Sequence, residues 1–220
     1  MRLSRIPRHV GVIPDGNRRW AQARGMARGK GYAFGIEPGL RLLEHCRRRG
    51  IEEISIYGFT KENVRRPSDQ VEAFRRACVE FGRRAVREAG AALLVVGDTR
   101  SPVFPDELRP FAERRSDGAI RVNLLVNYGW QWDLFHAAEH PREGDGARRS
   151  GWAKAIGSSA VPRIDLVVRW GGRSRLSGFL PIQCAYADLY WIETLWPDSR
   201  LEEFDEALAW YQSQDVTLGG

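Results

Sequence analysis

The chain has 220 residues, of which 43% are hydrophobic and 28% are charged, and its formal net charge at pH 7 is +6. Its apolar runs fall well short of the roughly 20 residues of a membrane-spanning helix, and its three scattered cysteines argue against a disulfide framework or a cysteine-based zinc site. We therefore expect a cytoplasmic protein with an anionic partner, either a nucleic acid, a membrane surface or a phosphorylated small molecule.

The predicted elements alternate between strands and helices. The first half contains strand HVGVI, helices RRWAQARG and GLRLLEHCRRRG, strand EEISIYGF, helix SDQVEAFRRACVEFGRRAVREAG and strand AALLVVGD. The second half contains helix DELRPFAERRS, broken by Pro110, strand IRVNLLVNYGW, a mobile surface loop at residues 139–151, strand RIDLVVRWGG, a strand within ADLYWIETLWP, and helix LEEFDEALAWYQSQ. This alternation predicts one α/β domain over residues 1–220, with a central, mostly parallel six-stranded sheet flanked by helices.

The first strand ends in PDGNRRW, where Asp15 and Gly16 precede a cationic helix. Ligands bind beyond the carboxyl ends of strands in such sheets, and Asn17, Arg19 and Arg28 would add donors for a phosphate beside the free N–H groups of the helix. A carboxylate repels phosphate unless a divalent cation lies between them. Asp15 therefore indicates Mg²⁺, which binds one or two carboxylates and substrate phosphates. The alternative makes Asp15 a helix N-cap and the arginines a solvated helix face.

The fifth strand ends in a second candidate anion site. Gly171 and Gly172 permit a close approach to the backbone, Arg169 and Arg175 supply positive charge, and Ser177 supplies a hydroxyl. Two anion sites in one domain indicate two phosphorylated substrates. The sequence contains neither a Walker P-loop nor the GxGxxG dinucleotide fingerprint.

Arginine makes up almost all of the basic residues, because only Lys30, Lys61 and Lys154 of the 34 basic side chains are lysines. A GC-rich genome would enrich arginine without a structural reason. A phosphate-binding protein would use arginine because the planar guanidinium matches phosphate oxygens. Composition does not choose between these two interpretations.

Five segments resemble the signature blocks of the cis-prenyltransferases, the undecaprenyl diphosphate synthase-like enzymes. They are HVGVIPDGNRRWA, ISIYGFTKENVRRP, VNYGWQWD, DLVVRWGGRSRLSGFL and AYADLYWIETLWPD, and they run in the family's order from about residue 8 to 212. The resemblance implies an α/β fold, a homodimer, a need for Mg²⁺, and condensation of an allylic diphosphate with a second isoprenyl diphosphate. It implies no nucleic-acid partner, and membrane association only for a long product.

The resemblance also implies roles for individual residues. Asp15 and Asn63 would be catalytic, and Asp15 would bind the metal with Asp188, which stands where the family usually has a metal-assisting glutamate. The implied substrate-binding residues are Gly16, Asn17, Arg18, Arg19, Trp20, Arg28, Tyr32, Arg66, Arg169, Arg175 and Ser177, the last three for the second diphosphate. Seven apolar residues are either pocket walls or plain core: Ile54, Ile56, Tyr57, Phe59, Val71, Phe74 and Phe81.

The chain departs from the family mainly around the second substrate. Arg173 and Ser174 replace an acidic pair before Arg175, VTLGG replaces a C-terminal arginine-containing motif, and Tyr32 replaces a histidine. These changes favour the irregular, lavandulyl-type branch, in which dimethylallyl diphosphate is the nucleophile and the coupling is head-to-middle. The alternative is an ordinary head-to-tail Z-prenyl diphosphate synthase that uses isopentenyl diphosphate. A nucleic-acid-binding protein is the alternative of another class.

Overall fold

The computed structural model of the chain describes residues 5–139 and 154–214. Beyond Glu139, the predicted surface loop at residues 139–151 lies outside the described residues, and so does the C-terminal VTLGG segment.

Six parallel strands form one sheet with the order β3-β4-β2-β1-β5-β6. They are β1 (His9–Ile13), β2 (Glu53–Tyr57), β3 (Ala91–Val96), β4 (Ile120–Leu125), β5 (Leu166–Arg169) and β6 (Asp188–Trp191). The sheet confirms the predicted α/β fold class. Since β1 lies between β2 and β5, the strand order reverses at β1. At such a reversal an α/β sheet opens a crevice beyond the carboxyl ends of its strands.

Besides the helical residues 154–155, seven helices surround the sheet in the described ranges. They are α1 (Asn17–Ala23), α2 (Gly31–Phe34), α3 (Ile36–Arg49), α4 (Ser68–Ala89), α5 (Arg109–Glu113), α6 (Trp130–Glu139) and α7 (Leu201–Gln212). Short 3₁₀ turns at Arg28–Lys30, Lys61–Arg65, Asp106–Leu108 and Trp196–Asp198 connect some of them. No helix in these ranges combines the length and the apolar character needed to cross a membrane.

Two predicted boundaries differ from the structure for local reasons. The predicted strand IRVNLLVNYGW ends at Leu125, because Asn127 adopts a positive φ of 53° that takes the chain out of the extended conformation, and α6 then begins at Trp130. The helix predicted to break at Pro110 is a 3₁₀ turn at Asp106–Leu108 followed by the five-residue α5, so the break lies just before Pro110. Pro110 lies in the first turn of α5, where its missing N–H leaves no helical hydrogen bond unmade.

Alternate strand residues pack on the two faces of the sheet. Val10 and Val12 belong to a large core cluster that includes residues of α3, α4 and α7, whereas Ile13 and Val167 pack in a smaller cluster with Phe179. Both clusters contain fully buried side chains. This period-two burial holds β1 and β5 in a fixed register and so fixes the positions of the residues that follow them.

A buried polar network lies near the amino ends of the strands. The Nε2 atom of His9 is 2.9 Å from the Ser55 hydroxyl, and Asn123 donates hydrogen bonds to Ser55 at 3.0 Å and to Glu53 at 2.7 Å. Arg121 pairs with Glu53 at 3.0 Å. His9, Glu53, Ser55 and Asn123 are buried, whereas Arg121 is exposed, and the contacts among the buried groups offset the cost of removing them from water.

Candidate active site

A cavity of about 550 Å³ opens beyond the carboxyl ends of β1, β2 and β5. Of the site residues that the family resemblance implies, all except Trp20 and Asp188 line this cavity, and Gly171 and Gly172 of the second candidate anion site do not line it. In the described part of the chain, seven arginines and two carboxylates line it: Arg18, Arg19, Arg28, Arg66, Arg169, Arg173 and Arg175, with Asp15 and Glu62. A concave surface with this excess of positive charge attracts an anion of high charge.

The carboxylate of Asp15 joins the two predicted anion sites. Its Oδ2 accepts a hydrogen bond from Arg169 at 2.7 Å, and its Oδ1 accepts one from the Gly16 N–H at 2.6 Å and lies 3.7 Å from Arg19. The Asp15 side chain remains 36% exposed, so one side of the carboxylate faces the cavity. The alternative interpretation of Asp15 as an N-cap is wrong, because the residue at the N-cap of α1 is Gly16 and no side chain caps this helix.

Gly16 allows the chain to turn sharply from β1 into α1. Its φ is +109°, a conformation that other residues rarely adopt, and a Cβ atom at this position would lie 2.8 Å from Leu195. Asn17 then donates from its Nδ2 to the Pro14 carbonyl at 2.9 Å, which fixes the first turn of α1 against the end of β1. The Oδ1 atom of Asn17 is buried without a hydrogen-bond partner in the described structure.

Three arginines on and after α1 donate hydrogen bonds to neutral groups, although Arg19 also lies 3.7 Å from the Asp15 carboxylate. Arg18 donates to the Gln70 side chain at 3.2 Å, Arg19 to the Gly171 carbonyl at 2.6 Å, and Arg28 to the Gln22 side chain at 3.1 Å. A neutral partner orients a guanidinium without neutralising its charge. Arg18 and Arg28 therefore keep their full attraction for an anion in the cavity, whereas Arg19 shares its charge with Asp15.

Trp20 was predicted to bind substrate, but it lies outside the cavity. Its indole N–H donates to Asp198 at 2.7 Å, and the guanidinium of Arg24 lies 4.2 Å from its ring centroid. At 7% exposure, Trp20 forms part of the packing of α1 against the Trp196–Asp198 turn. The helical period explains this position, because Arg18 and Arg19 face the cavity while the next residue turns away from it.

Tyr32, Arg66 and Phe74 form a compact group on the side of the cavity near β2. Arg66 donates to the Tyr32 hydroxyl at 2.6 Å, and the rings of Tyr32 and Phe74 stack with centroids 4.2 Å apart. Burial raises the pKa of Tyr32 and lowers the pKa of Arg66 from their usual values. Asn63 lies on the same side, where its Oδ1 accepts a hydrogen bond from the Thr60 N–H at 3.2 Å.

The side of the cavity formed after β5 is organised by Arg169. Its buried guanidinium, only 4% exposed, donates to Asp15, to the Ser177 hydroxyl at 2.9 Å and to the Arg175 carbonyl. Tyr57 donates to the Ser177 carbonyl at 2.9 Å, and burial raises the Tyr57 pKa well above its usual range. Ser177 itself has a positive φ of 53°. The loop after β5 is thus held by side chains from both β2 and β5.

A smaller apolar pocket of about 60 Å³ adjoins the charged cavity. The two share Pro14, Asn17, Tyr32, Tyr57, Gly58 and Phe74. Of the seven candidate wall residues, Ile56, Tyr57, Phe74 and Phe81 line the apolar pocket, whereas Ile54, Phe59 and Val71 belong to or pack against the core. A ligand with a charged head and a hydrocarbon tail fits this pair of spaces.

Asp188 is distant from Asp15 within the chain. It is the first residue of β6 and is in register with Leu166, at the amino end of β5. Asp15 follows Ile13, which is in register with Arg169 at the carboxyl end of β5. The Asp188 carboxylate is 3.9 Å from the Arg5 guanidinium. The described chain therefore does not bring Asp188 and Asp15 into one metal site.

The donor set near Asp15 suits one type of metal ion. The described ranges contain no group of three or more histidine, cysteine or acidic side chains that could hold a metal. Asp15 offers one partly exposed carboxylate on a cavity lined by seven arginines in the described ranges. Mg²⁺ accepts such a site because substrate phosphates and water complete its coordination, whereas a structural zinc site needs four protein ligands.

The sequence analysis missed several cavity residues. Arg173, Gln22, Thr60 and Glu62 line the cavity but received no role. Arg173 was recognisable, since it lies in the fifth strand end between the two glycines and Ser177. The positions of Gln22 and Thr60 depend on the turns after α1 and β2, which have no strong sequence signal.

Comparison with known proteins agrees with this site. The family described as "Putative undecaprenyl diphosphate synthase" matches residues 13–219. The chain is 33% identical to the isoprenyl transferase of Nitrosomonas europaea, over 97% of this chain and 86% of that one. It is 35% identical to the ditrans,polycis-undecaprenyl-diphosphate synthase ((2E,6E)-farnesyl-diphosphate specific) of Pseudomonas aeruginosa, over 97% of this chain and 91% of that one.

Two solved structures share the fold. Lavandulyl diphosphate synthase from Lavandula x intermedia, in complex with dimethylallyl diphosphate, superposes with a TM-score of 0.85 at 24% identity and covers 98% of this chain and 99% of its own. A probable undecaprenyl diphosphate synthase from Campylobacter jejuni superposes with a TM-score of 0.78 at 25% identity, over 98% of this chain and 100% of its own.

Proposed function

The chain belongs to the undecaprenyl diphosphate synthase-like prenyltransferases and is a prenyltransferase enzyme, and from this we propose that it joins an allylic diphosphate to isopentenyl diphosphate in a Mg²⁺-dependent, head-to-tail condensation. One observation carries the proposal. The Asp15–Arg169 contact connects two groups of arginines within a single cavity, so that two diphosphates can lie side by side.

The allylic diphosphate is assigned to the side of the cavity formed by α1. There Gly16, Asn17, Arg18, Arg19 and Arg28 surround the space beside Asp15. Their positive charge stabilises the negative charge that develops on the departing diphosphate as the allylic C–O bond breaks. Arg66 lies on the same cavity and adds a partly buried cation, whose charge is less screened by water than that of an exposed arginine.

Asp15 is the residue assigned to Mg²⁺. When bound to a substrate diphosphate, the ion supplies Lewis-acid stabilisation of the leaving group. Asp15 is suited to this role because one carboxylate face is exposed to the cavity while Arg169 and the Gly16 N–H fix its orientation. In this proposal Asp188 is not a metal ligand within its own chain.

The hydrocarbon part of the allylic substrate is assigned to the apolar pocket. Tyr32, Tyr57 and Phe74 border both spaces and would lie beside the carbon that becomes electron-poor. Aromatic faces carry negative electrostatic potential and exclude water, so they stabilise a cationic carbon and protect it from hydrolysis. Asn63 is assigned a position near the reacting carbons, because it lines the same cavity.

The second diphosphate is assigned to Arg169, Arg175 and Ser177. The double bond of the second substrate attacks the allylic carbon, the allylic diphosphate leaves, and one proton is lost from the new cationic intermediate. An oxygen of the neighbouring diphosphate can accept this proton. Ser177 then serves to hold the second diphosphate in reach, since its hydroxyl is oriented by Arg169.

The head-to-tail reaction is favoured because curated relatives that are 30% or more identical are named undecaprenyl-diphosphate synthases. The lavandulyl-type, head-to-middle reaction is the second candidate and has less support. Among the changes that favour it, Arg173 lines the cavity at the position where the resemblance implies an acidic residue before Arg175. The structural likeness to a lavandulyl diphosphate synthase is a likeness of fold.

A product assay separates the two reactions. The protein is incubated with Mg²⁺ and dimethylallyl, geranyl or farnesyl diphosphate, each alone and with isopentenyl diphosphate, and the dephosphorylated alcohols are identified by mass spectrometry. Products only in the presence of isopentenyl diphosphate support the head-to-tail proposal. Coupling of dimethylallyl diphosphate with itself supports the head-to-middle reaction and contradicts the first proposal.

We also propose that residues 1–220 act as one prenyltransferase domain that assembles as a homodimer, as the resemblance implies. Multi-angle light scattering of the full chain tests the assembly. A mass of two chains supports the proposal, and a mass of one chain at micromolar concentration contradicts it.

A further inference from the structure

Arg173 is a cationic residue of the cavity that has no part in the roles assigned so far. It lines the cavity on the same loop as Arg175 and Ser177, and its side chain is exposed to the open space. Within residues 5–139 and 154–214, the Arg173 guanidinium has no hydrogen-bond or ion-pair partner. A free cation on the wall of an anion-binding cavity is available to a ligand without first breaking a contact.

The backbone that carries Arg173 is held in place. Gly171 and Gly172 have φ values of +91° and +63°, which form a tight turn directly after β5. Their N–H groups donate to the Thr194 carbonyl at 2.8 Å and to the Ile192 carbonyl at 2.9 Å. This turn is therefore fixed to the segment after β6, and Arg173 leaves it at a defined position rather than from a free loop.

The other arginines on this side of the cavity differ in how much of their charge is available. Arg169 already donates to Asp15, Ser177 and the Arg175 carbonyl. The side chain of Arg175 has no partner in the described ranges, as for Arg173. A diphosphate on this side would thus meet two unengaged guanidiniums, and each can donate two hydrogen bonds in a fork that matches phosphate oxygens.

The charge at this position is opposite to the one that the family resemblance implies. An acidic residue stands here in the enzymes that the chain resembles, and Arg173 replaces it with a cation. The sequence also lacks the family's arginine near the C-terminus, where it has VTLGG. The chain has therefore lost one cation associated with the second diphosphate and gained another on the cavity wall.

We propose that Arg173 binds the diphosphate of the second isoprenyl substrate together with Arg175, and that it supplies from within the loop after β5 the positive charge that the C-terminal segment lacks. The inference rests on the proposed function. It concerns the diphosphate only and holds for either carbon skeleton of the second substrate.

Steady-state kinetics of Arg173→Gln and Arg173→Glu test this inference. Loss of a charged hydrogen bond to a phosphate weakens binding by about tenfold or more. We expect Arg173→Gln to raise the KM for the second diphosphate about tenfold while the KM for the allylic diphosphate stays within about twofold of the wild type. Arg173→Glu should raise the KM for the second diphosphate further. Arg83→Gln is the matched control, because Arg83 is exposed on α4 and lines neither pocket.

Titration with inorganic pyrophosphate separates failure of this inference from failure of the proposed function. We expect the wild type to bind two pyrophosphates and Arg173→Gln to bind one of them about tenfold more weakly. If the wild type binds both and turns over prenyl diphosphates, but Arg173→Gln matches it in affinity and in both KM values, Arg173 has no such role and the proposed function stands. An equal rise in both KM values also overturns the inference. A wild type that neither binds pyrophosphate nor converts prenyl diphosphates overturns both.

Discussion

The Oδ2 atom of Asp15 accepts a hydrogen bond of 2.7 Å from Nη2 of Arg169, across the boundary between β1 and β5. Arg169 is almost fully buried and Asp15 is partly exposed. The buried cation therefore orients the carboxylate while the cavity remains open to it. This pairing places a negative group between two sets of positive groups, which is the arrangement expected where a metal ion is shared with phosphates.

Asp15→Asn should abolish most turnover without unfolding the protein. The substitution keeps the size of the side chain but removes the charge proposed to bind Mg²⁺, and loss of such electrostatic stabilisation lowers kcat by about 100-fold or more. The measurement is product formation as a function of Mg²⁺ concentration, with circular dichroism to check folding. Asp117→Asn, at an exposed site that lines neither pocket, should behave as the wild type. Wild-type turnover by Asp15→Asn would exclude the metal role.

Phe81→Leu should lengthen the product. Phe81 lines the apolar pocket of about 60 Å³, and a smaller side chain there extends the space for a hydrocarbon chain. We expect products longer by at least one isoprene unit and a loss of unfolding free energy of about 1–2 kcal/mol. Phe104→Leu removes the same atoms from a buried site that lines neither pocket, so it should lower stability without changing product length. Equal product lengths for the two variants would contradict the assignment of this pocket.

Tyr32→Phe should destabilise the protein more than an equivalent change on the surface. The variant keeps the stacking on Phe74 but removes the hydroxyl that accepts the 2.6 Å hydrogen bond from Arg66. Because the Arg66 guanidinium is partly buried, losing this acceptor should cost about 1 kcal/mol in a urea unfolding experiment. Tyr186→Phe removes a hydroxyl from a side chain that is 66% exposed, and its unfolding should be unchanged. If Tyr32→Phe has the same unfolding midpoint as Tyr186→Phe, the Tyr32 hydroxyl contributes nothing to stability.

The stability of the protein should fall as the pH decreases from about 7 to about 5, in part because of His9. Burial holds the pKa of His9 below its usual range and outweighs the Glu53 carboxylate, which acts in the opposite direction. The unfolded chain therefore binds a proton at His9 at a higher pH than the folded protein does. The contribution of His9 to the free energy of unfolding is complete above about pH 6.5, the pKa of the unfolded histidine, and decreases as the pH falls below it.

Urea unfolding of the wild type and of His9→Gln at several pH values measures this effect. The wild type should lose more unfolding free energy than the variant between pH 7 and pH 5. The signal assigned to His9 in a proton NMR titration gives the pKa of His9 directly. A His9 pKa at or above 6.5, or identical pH profiles for the two proteins, would contradict the prediction.

The sequence predicted the sheet well because hydrophobic pattern determines it. Segments such as HVGVI and AALLVVGD are buried on both faces, and continuous β-branched runs between helical patterns have few other folded forms. Boundaries were less predictable where one residue changes the backbone, as Asn127 does at the end of β4. The buried network of His9, Glu53 and Asn123 was also missed, because a polar residue in a strand gives no sign of its partners on neighbouring strands.

The site was predictable as far as it follows strand ends. The residues after β1 and β5 lie together because parallel strands end at the same edge of the sheet, and Asp15 and Arg169 illustrate this. Asp188 was assigned to the metal by resemblance alone, although it stands at the amino end of β6, away from the cavity at the carboxyl ends of the strands. Trp20 was assigned in the same way, and its position on α1 turns it towards Asp198. Motif spacing gives the order of residues but not the direction of each side chain.

The position of β1 between β2 and β5 determines when the enzyme can acquire activity during synthesis. Asp15 and Arg169 are separated by 154 positions in the chain. A growing chain that ends at α6 already contains Asp15 and Arg66, but it has no β5 to provide Arg169. Contacts of such long sequence separation form late, because loop-closure entropy opposes them. A chain without β5 therefore lacks the guanidinium that orients the Asp15 carboxylate, and the proposed metal site is complete only after β5 has docked beside β1.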